Sequence, residues 1–186
     1  MMVDPAGMLW AMMATDFAFP GFPPMPLSVA MAGLKLRSGA GLASIDASNA
    51  REAMELAAAN RCLAIQLGAT APGLRARDVG RSARRDIAAA LRRHGLAISG
   101  CDAWIPPEHF ANAEHQDRAM TAVIGAAEML RELWNLSEHR GEPAICLTLP
   151  ASVPHAIATA LHASTQLHGV QLADSRWPRG ATPVTR

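Results

Sequence analysis

The chain has 186 residues, of which 50% are hydrophobic and 18% charged, enough for one globular domain with a sizeable core and not for a comfortable pair. That balance excludes a disordered chain. Seventeen basic residues against 16 acidic ones leave a net charge of +1, which gives no global pull toward nucleic acid or an anionic membrane.

The first 26 residues, "MMVDPAGMLWAMMATDFAFPGFPPMP", contain an apolar run from Met8 to Ala14 but no Lys or Arg; the first is Lys35. A secretory signal needs a basic start, and seven apolar residues fall short of the ~20 that span a bilayer. Pro20, Pro23, Pro24 and Pro26 oppose regular structure. Residues 1–26 are expected to be a Met/Pro-rich flexible tail, with Met25 or Met31 as the native start. The cysteines, Cys62, Cys101 and Cys146, are odd in number and far apart, so no disulfide framework is indicated and a reducing cytoplasm fits. All three fall in apolar runs read as strands.

From Leu27 onward strands and helices alternate. "LSVAMAGLKLR" reads as a first strand ending in the glycine-rich "SGAGL". "DASNAREAMELAAAN" is helical, with Asp46 or Ser48 as its cap. "CLAIQLGA" is a buried strand. "SARRDIAAALRRHG" carries the clearest helical stripe, Ala83, Ile87, Ala90 and Leu91, with Ser82 as N-cap and Gly95 as the left-handed stop. "LAISGC" is the next strand. "NAEHQDRAMTAVIGAAEMLRELWNLSEHRG" is a long helix capped by Asn112 and ended by Gly141. Its apolar face is Met120, Val123, Ile124, Ala127 and Leu130. "PAICLTL" is a strand, "VPHAIATALHASTQLHG" a helix and "VQLAD" the last strand; residues 176–186 read as a second flexible tail. Continuous apolar strands between amphipathic helices indicate an α/β fold with a parallel sheet. An open doubly wound sheet and part of a (β/α) barrel both satisfy this order. Neither G-x-G-x-x-G after the first strand nor G-x-x-x-x-G-K-[ST] occurs, so a nucleotide site has no support.

The stretch "AIQLGATAPGLRARDVGRSARRDIAAALRRHGLAISGCDAW" carries Leu67, Arg77, Asp78, Arg84, Arg85, Asp86, Leu91, Gly95 and Leu96. In that pattern it resembles the sugar phosphate isomerase/epimerase family, the xylose-isomerase-like TIM barrels; the likeness runs over roughly residues 27–175. The resemblance implies an incomplete (β/α) TIM-type barrel of about five parallel strands with helices packed outside. It implies aldose–ketose isomerisation or epimerisation of a sugar or sugar phosphate in carbohydrate metabolism. A divalent metal (manganese, magnesium or zinc) is expected if the chain is active, and otherwise none. Pro150 stands where the family's metal-binding glutamate should be, and its side chain has no ligand atom. Asp174 corresponds to one acid. Reduced or no activity is therefore expected. The alternative is a non-catalytic sugar-binding or self-associating module, with a homodimer completing the barrel.

Chemistry in such barrels sits after the strands, at their C-terminal ends. Trp104 there could stack on a sugar face while Asp102 binds hydroxyls; the plainer reading, a rim cap and a turn, weighs more. Arg75 and Arg77 are placed to hold a sugar phosphate. Glu108, His109, Glu114 and His115 are ligand types for zinc or manganese, and His109 is the candidate there. An offset of six on one helix puts the two pairs ~240° apart, off a common face. His155, His162 and His168 read as an exposed helix face. The seven arginines of "GLRARDVGRSARRDIAAALRRHG" are interrupted by Asp78 and Asp86 and lack aromatics, so no nucleic-acid partner is expected.

Overall fold

The computed structural model describes residues 28–30, 35–38, 41–44, 50–71, 73–137 and 141–174. The expected tails, 1–26 and 176–186, and the caps Asp46 and Ser48 lie outside the described residues. In chain order the elements are β1 (Ser28–Ala30), β2 (Lys35–Ser38), β3 (Gly41–Ser44), α1 (Ala50–Ala59), β4 (Ala64–Gly68), α2 (Arg81–His94) and β5 (Ala97–Asp102). A 3-10 turn (Pro107–Phe110), α3 (Ala113–Leu136), β6 (Ala144–Leu147), α4 (His155–Leu167) and β7 (Gln171–Asp174) follow.

Five strands form one sheet in the order β1-β4-β5-β6-β7, and every pairing is parallel. The order follows the chain with no reversal. A doubly wound sheet reverses at a switch point and a (β/α) barrel does not. Of the two architectures the sequence allows, the partial barrel is the one built.

One expected strand is two elements. "LSVAMAGLKLR" supplies β1 and then β2, which pairs antiparallel with β3 as a hairpin in register Lys35↔Ser44 to Ser38↔Gly41. The two residues between Ser38 and Gly41 are Gly39 and Ala40. Glycine first in a two-residue connection is a hairpin signal, and it outweighs continuation of a parallel strand.

The core lies between the sheet and its helices. Ile65, Leu67, Ile98, Cys101, Ile145 and Leu147 are buried from the strands. Met54, Ala88, Leu91, Val123, Ala127, Leu130, Leu133 and Leu161 meet them from the helices. Val123, Ala127 and Leu130 recur at helical spacing, which is why α3 buries one stripe. Helix ends follow the caps. Asn112 accepts the Glu114 amide at 2.9 Å, and Gly95 stops α2 at φ 65°. Ser82 does not cap α2: Gly80 is the N-cap, its carbonyl already accepting the Arg84 amide at 3.0 Å. Helix α3 ends at Leu136, before Gly141. Cys62 is buried just before β4 rather than within it.

Candidate functional site

The strand ends acquire their chemistry from an irregularity in β5. Ile65 pairs with Ile98, but Gln66 pairs with Gly100, so β5 carries one residue more than β4 at Ser99. A bulge of this kind shifts the side-chain alternation by one. Ile98 and Cys101 therefore both face the helices, and both are buried. Asp102 is re-aimed to the opposite, inner face of the sheet. Without the bulge it would share a face with Ile98 and enter the apolar core. Gly100 makes the bulge with φ +153°, and a Cβ there would lie 3.1 Å from the Ala144 carbonyl oxygen of the next strand.

On the inner face Asp102 meets two neighbours. Gln66 Nε2 donates to Asp102 Oδ1 at 2.8 Å, and Cys146 pairs with Asp102 in register from β6. Burial raises the Asp102 carboxyl above its ordinary pKa. Burial and then the Asp102 charge raise Cys146, while burial pushes the Cys101 thiol up to about 12 and raises Cys62. None of these thiols is primed as a nucleophile, which needs a lowered pKa. The backbone holds the strand ends together: Ala69 N donates to Asp102 O, and Ala103 N to Cys146 O, each at 2.8 Å. Asp102 is thus the last residue of β5 rather than part of the following loop.

The loops after β4 and β5 and the first half of α3 enclose an open cleft of about 940 Å³. Arg75, Arg77, Trp104 and His109 all line it, together with Arg118. Trp104 is 76% exposed, so its indole is an open wall rather than a packed cap. Arg75 Nε donates to Thr70 O at 3.2 Å, which fixes the guanidinium against the loop. Arg77 lies 3.6 Å from Asp78 in an exposed pair, too weak to neutralise it. Arg84, at the cleft's edge, is spent on structure: Nη1 reaches Glu132 at 2.5 Å and Glu128 at 3.5 Å, and Nε donates to Val79 O. Asp117 and Glu128 line the same cleft, so it is mixed in charge with an excess of arginine.

The histidine geometry differs from that of one continuous helix. His109 sits in the 3-10 turn and His115 in the first turn of α3. The helix interruption at Ala111 and Asn112 folds them together, with ring centroids 4.7 Å apart. Among the described residues no three of His, Cys, Asp and Glu stand close enough to hold a metal ion. Asp174 pairs with Leu147, which by register puts it on the helix side, away from Asp102. Pro150 follows β6, and its carbonyl accepts the Val153 amide at 3.1 Å in a turn. The described donors do not fit a divalent ion that wants ~6 oxygen ligands. His155 and His162 are exposed and His168 half-buried, as an outer helix face requires. The sequence reading passed over Gln66 and Arg118. Gln66 had a signal, a polar residue inside the buried strand "AIQLG". Arg118 had none, since only the tertiary placing of α3 brings it to the cleft.

No family model matches the chain, and no curated protein matches it. Among solved structures it is similar to a xylose isomerase domain protein from Planctomyces limnophilus, with a TM-score of 0.52 at 15% sequence identity. The match covers 79% of this chain and 53% of that one. The likeness is one of fold, an α/β partial barrel with a parallel sheet and surrounding helices. The chain spans about half the length of that structure. No helix among the described residues is long and apolar enough to cross a membrane.

Proposed function

We propose that this protein binds a sugar phosphate at the C-terminal rim of its partial barrel, with reduced or no isomerase or epimerase activity. The observation that carries this is the cleft, whose lining includes Arg75, Arg77, Arg118 and the exposed Trp104. Guanidinium groups match phosphate oxygens, and an open indole supplies an apolar platform for a sugar face. Isomerisation beside a carbonyl needs a base and a group that polarises oxygen. Asp102 stands at the end of β5 with its pKa raised by burial, but it is not among the residues that line the cleft. The described donors do not assemble a metal site for the second, which supports weak or absent turnover. The place would be carbohydrate metabolism in a reducing cytoplasm, where separate thiols persist. No nucleic-acid or membrane partner is proposed.

A second reading is a self-associating, non-catalytic module. The edge strands β1 and β7 of the described sheet favour it, because open edges seek pairing. A homodimer completing the barrel is its form. Solution mass tests the second reading: a defined dimer supports the module, and a monomer at high concentration contradicts it. The binding claim is tested by titrating the protein with inorganic phosphate and with ribose 5-phosphate. Arg75→Ala/Arg77→Ala is expected to weaken both by about tenfold or more, from the loss of charge-assisted hydrogen bonds. Unchanged affinity in the double variant, or no binding by the wild type, contradicts it.

A further inference from the structure

We infer that Gly125 is a positioning residue for the arginines of the cleft: its missing side chain lets the turn that carries Arg75 and Arg77 seat directly on α3, an inference that rests on the phosphate-binding reading above. Gly125 acts through that turn rather than on the ligand.

Glycine in the interior of a helix is disfavoured relative to alanine, because it has more backbone freedom to lose. Gly125 sits in the middle of α3, beside buried Val123, Ala126 and Ala127. Its φ is not positive, so conformation does not call for glycine there. Space does. A Cβ at Gly125 would lie 3.3 Å from the Ala76 Cβ, inside the separation at which two carbon atoms attract best. The α3 backbone and the loop after β4 touch at this point.

The contact bears on the arginines because of how that loop is tied. Leu74 and Val79 are buried, and residues 75–78 cross the surface between them. The amides of Asp78 and Val79 both donate to Arg75 O, at 2.8 and 3.1 Å, so these residues close into a tight turn that moves as one piece. Ala76, which meets Gly125, is flanked in the turn by Arg75 and Arg77. The ends are anchored. Arg75 Nε donates to Thr70 O, and Arg84 joins Val79 O to Glu132 of α3. A push at Ala76 therefore displaces the turn between its anchors, and the turn carries two of the cleft's arginines. Arg118 stands two helical turns before Gly125 on the same face of α3, and Ala76, Gly125 and Arg118 all line the cleft. The spacing from Arg118 to the turn is thus set at Gly125. A binding constellation must be held to within about 0.5 Å, and an added methyl group demands a shift of that order.

The test is a double-mutant cycle read by affinity for inorganic phosphate, with melting temperature as the structural control. Gly125→Ala is expected to melt at or above wild type, from its better helix propensity, while binding phosphate about threefold or more weakly. Ala76→Gly removes the Cβ that the new methyl meets. In that background Gly125→Ala is expected to cost no affinity, because the two sites couple only through this contact. Amide NMR shifts of residues 74–79 without ligand are expected to change in Gly125→Ala and to return in Gly125→Ala/Ala76→Gly. Should Gly125→Ala alone not fold, a double variant that folds and binds like Ala76→Gly upholds the inference, and one that is unfolded or weak overturns it. Unchanged phosphate affinity in Gly125→Ala, or a loss that Ala76→Gly does not relieve, overturns the inference and leaves the binding reading standing. A wild type that binds neither phosphate nor ribose 5-phosphate removes the binding reading and the inference with it.

Discussion

Asp102 carries an unfavourable charge in the folded chain. Burial raises its pKa, so the folded protein holds that proton more tightly than the unfolded one does. The sign of the linkage follows: this group's contribution is most favourable below the ordinary carboxyl pKa and is lost as pH rises through the raised folded value. Asp102→Asn removes the charge and keeps an oxygen for Gln66 Nε2. The variant is expected to melt a few degrees above wild type at neutral pH, and the gap is expected to close in acid. A lower melting point for the variant at neutral pH contradicts this account of Asp102. The residue was visible in the sequence as an acid at a strand end. The face it points to was not, because strict alternation hides the bulge at Ser99.

At the scale of elements, the helices and central strands were legible because their apolar periodicity agrees with their caps. Asn112 and Gly95 were read directly from residue type. The hairpin was missed because the apolar run "LSVAMAGLKLR" reads as one strand, whereas its second half is β2, paired antiparallel with β3. The His109–His115 contact was missed because a helical wheel assumes an unbroken helix, and the 3-10 turn breaks it. Strand β5 depends on one residue for its form. Gly100→Ala meets both a φ that L side chains rarely adopt and a rigid carbonyl oxygen at 3.1 Å. It is expected to destabilise the protein by about 1–3 kcal/mol, read from denaturant unfolding, and to disturb the Gln66–Asp102 pair. Stability within error of wild type would show that the bulge tolerates a side chain.

At the scale of the molecule, the parallel order and one-sided helices make half of a closed architecture. The xylose isomerase-like likeness extends over 53% of the solved neighbour. If a second copy closes the barrel, light scattering is expected to give a defined mass of twice 19.7 kDa; a monomer mass at high protein concentration excludes the self-association reading. The resemblance in the sequence supplied the barrel class but not the site, because its matching residues are mostly packing and turn positions. The cleft is a tertiary product, assembled from two loops and a helix some 40 residues apart in sequence.

The central claim is that a sugar phosphate binds at the strand-end rim, in the cleft lined by Arg75, Arg77, Arg118 and Trp104. Amide and indole NMR shifts during a ribose 5-phosphate titration test it most directly. The account predicts concerted, saturable shifts at Thr70, Arg75, Arg77, Arg118 and the Trp104 indole. Shifts confined to other parts of the chain, or none at all, contradict it.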